Sequence, residues 1–315
     1  MNRTSATAAE AVADWLAQQA HPINSFDTNA ASDDLRPLAD AVADAEIVAL
    51  GVGSRSTHEL SVLQHRMLRL LVEEHGFRSL VLEGDDPARL GLDTYVLTGA
   101  GDPQALLAEA RSFWRTGEIL DVLRWMRAHN ERNPHDPVQL AVPSSQSPPP
   151  GAGLAEIERA MADEAIRWRE RTRQKTVYWG GLAHTAVGDP RSVSSPAPET
   201  HRNLGGHLRE HFGSGYASVG LTFHHGIDHP VPRREFAEAL LGAADLPAYS
   251  LDLRARRPAD VDAWLGAPAM TRVVGPFYDA REDADHHLSG GSLAEWFDAV
   301  VHVREVTRAR PLQGS

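Results

Sequence analysis

The chain has 315 residues, 42% of them hydrophobic and 23% charged, the make-up of an ordinary globular protein with one large domain or two modest ones. Its formal net charge of -12 argues against non-specific binding to nucleic acid or to an anionic membrane, because both present negative charge. The absence of cysteine excludes disulfides, thiolate nucleophiles and cysteine-ligated metals.

The first twenty residues, MNRTSATAAEAVADWLAQQA, have no continuous apolar core behind a basic start. They read as an amphipathic helix and not as a signal peptide. No apolar run approaches the roughly 20 residues that span a bilayer, so the expected location is cytoplasmic, with no membrane partner. Further on, strand-like runs recur: EIVALG at 46–51, SLVLE at 79–83, VQLAV at 138–142, TVYWG at 176–180, ASVGLTF at 217–223, YSLDL at 249–253, RVVGPFY at 272–278 and AVVHV at 299–303. Helical patterns fall between them, at 57–75, 86–97, 115–131, 154–173, 200–212, 233–243 and 259–266. Such alternation predicts an α/β fold with a mostly parallel central sheet flanked by helices. Ligands of such sheets sit beyond the carboxyl ends of the strands, which directs attention to 51–58, 83–87, 180–187 and 223–229.

The helix at 57–75 carries Leu60, Leu63, Met67, Leu70 and Leu71 on one face, with His58, Val62 and His65 opposite. Ser54, Ser56 or Thr57 is its expected cap, and Asp85 and Asp86 precede Pro87 as caps of the next helix. PSSQSPPPGAG at 143–153 reads as a linker or lid hinge within a single domain spanning 1–315. GDPRSVSSPAPE at 188–199 reads as a polar binding loop.

Several segments, taken together, resemble the erythromycin esterase family. The resemblance runs through DDLRPLADAVADAEIVALG (33–51), THELSVLQHRMLRLLVEEHGFRSLVLEGDDP (57–87), LRWMRAHN (123–130), MADEAIRW (161–168), TVYWGGLAHTA (176–186), LGGHLREHFGSGYASVGLTF (204–223) and WFDAVVHVREVTRARPL (296–312). It implies that family's α/β scaffold and hydrolysis of a lactone-containing small molecule such as a macrolide. The departures from the family pattern cluster in the motifs. Where the family reads like GEATHGTHEF, this chain has GVGSRSTHEL, so Val52 replaces the family's glutamate and Arg55 its catalytic histidine. Where the family reads like WAHNAH, this chain has WGGLAH, so Gly181 replaces the first histidine and Leu182 the asparagine, while His184 remains. Glu83 matches the glutamate of the family's LEAD-type motif, and the helical insertion before the MADEAIRW helix has collapsed to SQSPPPGAG.

Hydrolysis needs a base that activates water, and arginine cannot be that base because its pKa exceeds about 12. Arg55 offers instead a positive fork for a carboxylate, a phosphate or an enolate oxygen. The candidate catalytic residues are therefore His58, Glu59, Glu83 and His184. His58 and Glu59 form an acid–base pair at the helix start, or a solvated N-terminus where Glu59 complements the dipole. Glu83 is pocket-lining or a structural ion-pair partner of Arg55. His184 is a ligand-facing side chain or is hydrogen-bonded to backbone. Candidate substrate-binding residues are Arg55, Asp85, Trp179, His224, His225 and His287, with Trp179 and Trp114 either walling a bulky ligand or filling the core.

The histidines of FHHGIDH (223–229) and DADHHL (283–288) invite a metal reading. Zinc pairs at i and i+4 need a helix face, however, and Gly226 and Pro230 argue for a loop. No P-loop, dinucleotide fingerprint or nucleophile elbow is present, so neither metal nor other cofactor is expected. The reading is a repurposed scaffold acting on a polyketide- or macrolide-like small molecule. Metal-free acid–base chemistry on it favours cyclisation or dehydration over hydrolysis, because the inherited base is gone. Ester or lactone hydrolysis by His58 or His184, and a catalytically silent small-molecule binding protein, are the alternatives. No nucleic acid or membrane partner is expected, and the sequence leaves the oligomeric state open.

Overall fold

The structure, a computed structural model, describes residues 3–143, 151–188, 190–194 and 199–312. Its strands are β1 (His21–Pro22), β2 (Ile47–Val52), β3 (Phe77–Leu82), β4 (Gln139–Leu140), β5 (Lys175–Gly181), β6 (Arg191–Val193), β7 (Glu199–His201), β8 (Tyr216–Gly226), β9 (Ala248–Asp252), β10 (Thr271–Arg272), β11 (His287–Ser289) and β12 (Ala299–Val306). An eight-stranded sheet has the order β1-β9-β12-β8-β2-β5-β3-β4. From β12 to β4 every pairing is parallel, and only β9 and β1, at one edge, run antiparallel. This is the mostly parallel α/β sheet that the alternating pattern predicts.

Period-2 alternation sorts the strand residues into two cores. On β2, Val48, Leu50 and Val52 join the helices Arg36–Val42, His58–His75 and Gly117–Arg132. Ile47 and Ala49 face Leu154–Thr172 and Leu204–Phe212. The helix His58–His75 is buried nearly all round, including Val62 and His65 on the face expected to be outer. His65 instead packs edge-on against Trp125, 5.7 Å away. Thr57 is the N-cap residue of this helix, but its side chain makes no capping bond and its Oγ1 donates to the Ser54 carbonyl at 3.1 Å.

Other expectations need correction. The pattern at 86–97 divides into Pro87–Leu90 and Leu92–Thr98, because Gly91 takes a left-handed conformation (φ 77°) between them. Of RVVGPFY only Arg272 is strand, as the second residue of Thr271–Arg272, since Gly275 and Pro276 turn the chain away. It belongs to a second, four-stranded antiparallel sheet of order β10-β11-β6-β7 that the sequence pattern missed. Its β6 and Glu199 of β7 come from the stretch expected to be a polar loop, of which residues 189 and 195–198 lie outside the described residues; the rest of β7 takes the start of the helix expected at 200–212, which begins at Leu204. β8 runs through His224 and His225 to Gly226, so these two histidines are strand residues and not loop residues. Of the expected linker or hinge, residues 144–150 lie outside the described residues.

Among the described residues no helix is long and apolar enough to cross a membrane.

Candidate active site

The carboxyl ends of β2, β3 and β5 lie side by side, with Leu82 paired to Trp179 and Val52 to Gly181. Each end delivers one charged side chain to the same place. Arg55 follows β2, Glu83 follows β3, and His184 sits in the short helical turn Leu182–Thr185 after β5. Arg55 Nη2 donates to Glu83 Oε1, and Glu83 Oε2 accepts the Gly181 N–H at 3.0 Å. His184 Nε2 lies 3.6 Å from the same Glu83 Oε1. The two glycines make room for this arrangement. A Cβ on Gly181 would lie 2.5 Å from Arg55 Nη2, and one on Gly180 would collide with Glu83 Oε2. The Arg55 guanidinium also stacks over Phe113, 4.9 Å from the ring centre.

A second carboxylate, which the sequence reading overlooked, stands behind His184. Glu158, fully buried in Leu154–Thr172, accepts from His184 Nδ1 at 2.5 Å and from the Leu204 N–H at 2.8 Å. His201 Nε2 approaches the same carboxylate at 3.7 Å. Burial raises the Glu158 carboxyl, but the His184 charge, the hydrogen bonds from His184 and Leu204 and the nearby His201 outweigh it and hold the pKa at about 2. Burial likewise lowers His184, but Glu158 and Glu83 overcome it and push the imidazole up to about 9. His184 is therefore held toward its imidazolium form, able to donate a proton or steady an anion. The signal for Glu158 was a lone carboxylate on the Ala162, Ala165 and Trp168 stripe of an amphipathic helix.

His58 and Glu59 do not pair with each other. Both oxygens of Glu59 serve Thr307, accepting its N–H and its Oγ1–H at 2.7 Å each. His58 instead turns its Nδ1 to Glu118 Oε1, at 2.7 Å, across 60 residues of chain. Glu118 is buried, opens the helix Gly117–Arg132, and also accepts from Arg310 N and Nε at 3.1 Å. Burial raises its pKa, but the bonds from His58 and Arg310 lower it further, so the carboxylate stays ionised. His58 keeps 30% of its side chain exposed, and its Nε2 has no hydrogen-bond partner among the described residues. A histidine oriented through Nδ1 by a buried carboxylate, with Nε2 free, is the arrangement of a general base.

A cavity of about 270 Å³ opens beside Arg55, lined by Ser56, Phe113 and Thr116 on one side and by Asp228, Arg308 and Arg310 on the other. The strap after β12 makes that second wall. It is held by Ala309 N to the Ser56 carbonyl (2.8 Å) and by Gly117 N to the Arg310 carbonyl (2.8 Å). Arg310 thus lines the cavity while donating to the carboxylate that orients His58. Phe113, Trp114 and Trp179 close a narrow crevice on the inner side of Arg55. Trp179 and Trp114 are core residues, and Trp114 Nε1 donates to the Glu83 carbonyl at 3.1 Å.

The remaining candidates sit elsewhere. Asp85 accepts the Arg111 N–H at 2.9 Å, while the cap of Pro87–Leu90 is Asp86 alone. His224 and His225 bond each other through their Nδ1 atoms at 3.0 Å, and His287 Nδ1 donates to the Ala284 carbonyl at 2.8 Å. Neither these three histidines nor His58, Glu59, Glu83 and His184 are among the residues that line the cavity beside Arg55. Among the described residues no group of three or more His, Cys, Asp or Glu side chains is placed to hold a metal ion.

A family model described as Erythromycin esterase matches residues 72–142 and 146–306. The chain belongs to the erythromycin esterase family. Curated relatives are distant and matched in part. An erythromycin esterase type II of Escherichia coli is 26% identical over 99 residues, which are 31% of this chain and 23% of that one. A putative hydrolase of Bacillus subtilis (strain 168) is 25% identical over 127 residues, 40% of this chain and 27% of that one. The matches thus span about a quarter of those relatives. Solved structures share the fold over more of the chain. A Bacillus cereus protein superposes with a TM-score of 0.79 at 21% identity, covering 96% of this chain and 99% of its own. A succinoglycan biosynthesis protein gives 0.79 at 17% identity, covering 98% and 99%. A mutant of the erythromycin esterase EreC in its open conformation gives 0.62 at 14% identity, covering 89% and 96%. The erythromycin esterase family match begins at Val72, so Arg55, His58 and Glu59 precede the matched residues while Glu83 and His184 fall within them.

Proposed function

We propose that this member of the erythromycin esterase family is an enzyme that attacks an ester- or lactone-containing small molecule of the polyketide or macrolide type. His58 acts as base and His184 as acid. The observation that carries the reading is the 2.7 Å contact between His58 Nδ1 and the buried Glu118. It gives His58 an orienting carboxylate, in a chain whose inherited base is read as replaced by Arg55. The sequence-based preference for cyclisation or dehydration rests on a missing base, and that premise weakens once His58 has an orienting carboxylate. Hydrolysis therefore comes first, in keeping with the names of the curated relatives. In this reading His58 Nε2 takes a proton from water, the hydroxide adds to the carbonyl carbon, and the cations Arg55 and His184 offset the negative charge that develops on oxygen. Collapse expels the alkoxide, which is protonated by the imidazolium.

A second reading, a silent binding protein, is favoured by the Arg55–Glu83 ion pair, which occupies the position of the inherited machinery. One experiment separates the two. A panel of macrolides, lactones and aryl esters is incubated with the parent protein and with His58→Gln and Glu118→Gln, and products are read by mass spectrometry. Products heavier by one water, slowed about 10²-fold or more in both variants, support the hydrolase. Products of unchanged mass or lighter by one water would move the reaction to isomerisation, cyclisation or dehydration. Equal rates in parent and variants would remove His58 from the mechanism. Ligand-induced stabilisation without any product would favour the silent protein.

A further inference from the structure

The cavity beside Arg55 stands out against the rest of the molecule in its charge. In a chain of net charge -12 its lining carries three arginines and a single aspartate. Arg308 and Arg310 keep 72% and 54% of their side chains exposed, so their ion pairs with Asp228 and with Glu118 and Asp121 leave much of each guanidinium facing solvent. Arg55, more enclosed, presents a buried Nε with no hydrogen-bond partner.

A second observation concerns the rim. Of the large apolar side chains, Ile227, Val231 and Phe277 are exposed at 81%, 63% and 72%. Ile227 is the chain neighbour of Asp228, whose carboxylate is gripped by Arg308 at the cavity wall. Phe277 precedes Tyr278, whose ring meets His229, the chain neighbour of Asp228, at 5.2 Å. Exposed apolar side chains of two separate loops thus lie, along the chain, next to residues at or beside the arginine-lined wall of the cavity.

We propose that this cleft binds an amphiphilic acid, with its carboxylate (or another anionic end group) held by Arg55, Arg308 and Arg310 and its apolar body laid over Ile227 and Phe277. Charge complementarity chooses the head group, since an arginine fork matches a carboxylate. The cavity volume sets the division: about 270 Å³ takes the head and the first few carbons, and the remainder of the molecule lies outside, on the rim. The inference rests on the same cleft as the proposed reaction, but it concerns recognition and is tested without turnover.

The probes are decanoate, decanol and decyltrimethylammonium, each below its micellar concentration, and acetate. Binding to the parent protein is measured by calorimetry and thermal shift at low and at high salt. Decanoate binds, more weakly as salt rises, while decanol and decyltrimethylammonium bind at least about tenfold more weakly. Arg308→Glu weakens decanoate about tenfold or more, and Arg254→Glu, an exposed residue at the opposite end of the sheet beside the start of β12, leaves it unchanged. The double variant Ile227→Ser, Phe277→Ser weakens decanoate about tenfold with no effect on acetate. Equal binding of decanol and decanoate would overturn the proposal. So would an Arg308→Glu protein that is folded by circular dichroism and binds decanoate like the parent. A protein that binds decanoate as described but turns over no ester keeps this inference and loses the hydrolase. The reverse result does the opposite.

Discussion

The guanidinium of Arg55 occupies the space into which a side chain at Gly181 would project, with Nη2 only 2.5 Å from the position of its Cβ. The two positions are also the two at which the resemblance drawn from the sequence expects a histidine. Once Arg55 fills the floor of the site and grips Glu83, position 181 tolerates only hydrogen. This spatial coupling makes the two departures a single change. Gly181→Ala therefore expels Arg55 from Glu83 and leaves a buried carboxylate without its cation. Removing one partner of a buried pair costs about 3–5 kcal/mol, and the partial exposure of Arg55 places this case near the lower end. Arg55→His with Gly181→His together is better tolerated than the sum of the single changes, by about 0.5–3 kcal/mol of coupling. Urea unfolding of the four proteins reads this directly, and strict additivity would sever the link.

The electrostatic chain Glu158–His184–Glu83 predicts a pH signature. The His184 pKa lies at about 9 in the fold, above its ordinary 6.5, so its contribution is complete below 6.5 and is lost as pH rises through 9. Glu158 has its pKa at about 2, below the ordinary 4.5, so its contribution is present above 4.5 and is lost as pH falls through 2. The pair stabilises most between about 4.5 and 6.5. In Glu158→Gln the alkaline decline between 6.5 and 9 flattens, and the His184 imidazole resonances titrate lower in NMR. An unchanged His184 titration would show that Glu158 does not hold its proton.

Much of this architecture is legible in the sequence for a specific physical reason. Strands covered on both faces must be apolar throughout, so EIVALG, TVYWG and ASVGLTF announce themselves, and the ligand edge of the sheet follows from their direction. The small sheet is invisible because β6, β7 and β10 are two or three residues long and almost wholly polar. Within the site, Arg55, Glu83 and His184 are found because each follows a strand end. Glu118 is missed because no local pattern links it to His58, and only the fold carries it across. Glu59 misleads for the same reason: adjacency to His58 suggests a pair, while the helix sends the two side chains to different partners.

Glu59 makes a prediction of its own. Its carboxylate ties the start of the strap to the helix His58–His75 through Thr307. Glu59→Ala removes both acceptors of Thr307, an exposed residue, and costs about 0.5–1.5 kcal/mol. The strap also supplies Arg308 and Arg310, so hydrogen exchange speeds up through 307–311 before it does in the sheet. Exchange that quickens uniformly would indicate global destabilisation without loosening of the strap.

Two histidines outside the site govern the acid limb of stability. His65 and His302 are both buried and held neutral, their pKa values lowered from 6.5 to about 3, chiefly by burial. A neighbouring charge adds to this in each case, Arg69 for His65 and His224 for His302. Groups with depressed basic pKa values favour the fold most above 6.5, because between 6.5 and 3 the unfolded chain takes up protons that the folded chain refuses. Each histidine therefore adds up to about 1.4 kcal/mol of lost stability per pH unit across that window. The fall begins well above the range where Glu158 titrates. His65 has no hydrogen-bond partner for either ring nitrogen, whereas His302 Nδ1 is bonded to Thr222 Oγ1 at 2.9 Å. His65→Phe is thus the cleaner substitution: it keeps an aromatic ring against Trp125 and removes the titrating group. The variant should lose stability more slowly than the parent between pH 6.5 and 4, with the two curves parallel above pH 7. Curves that stay parallel through the whole acid range would mean that His65 is already able to take a proton in the folded state.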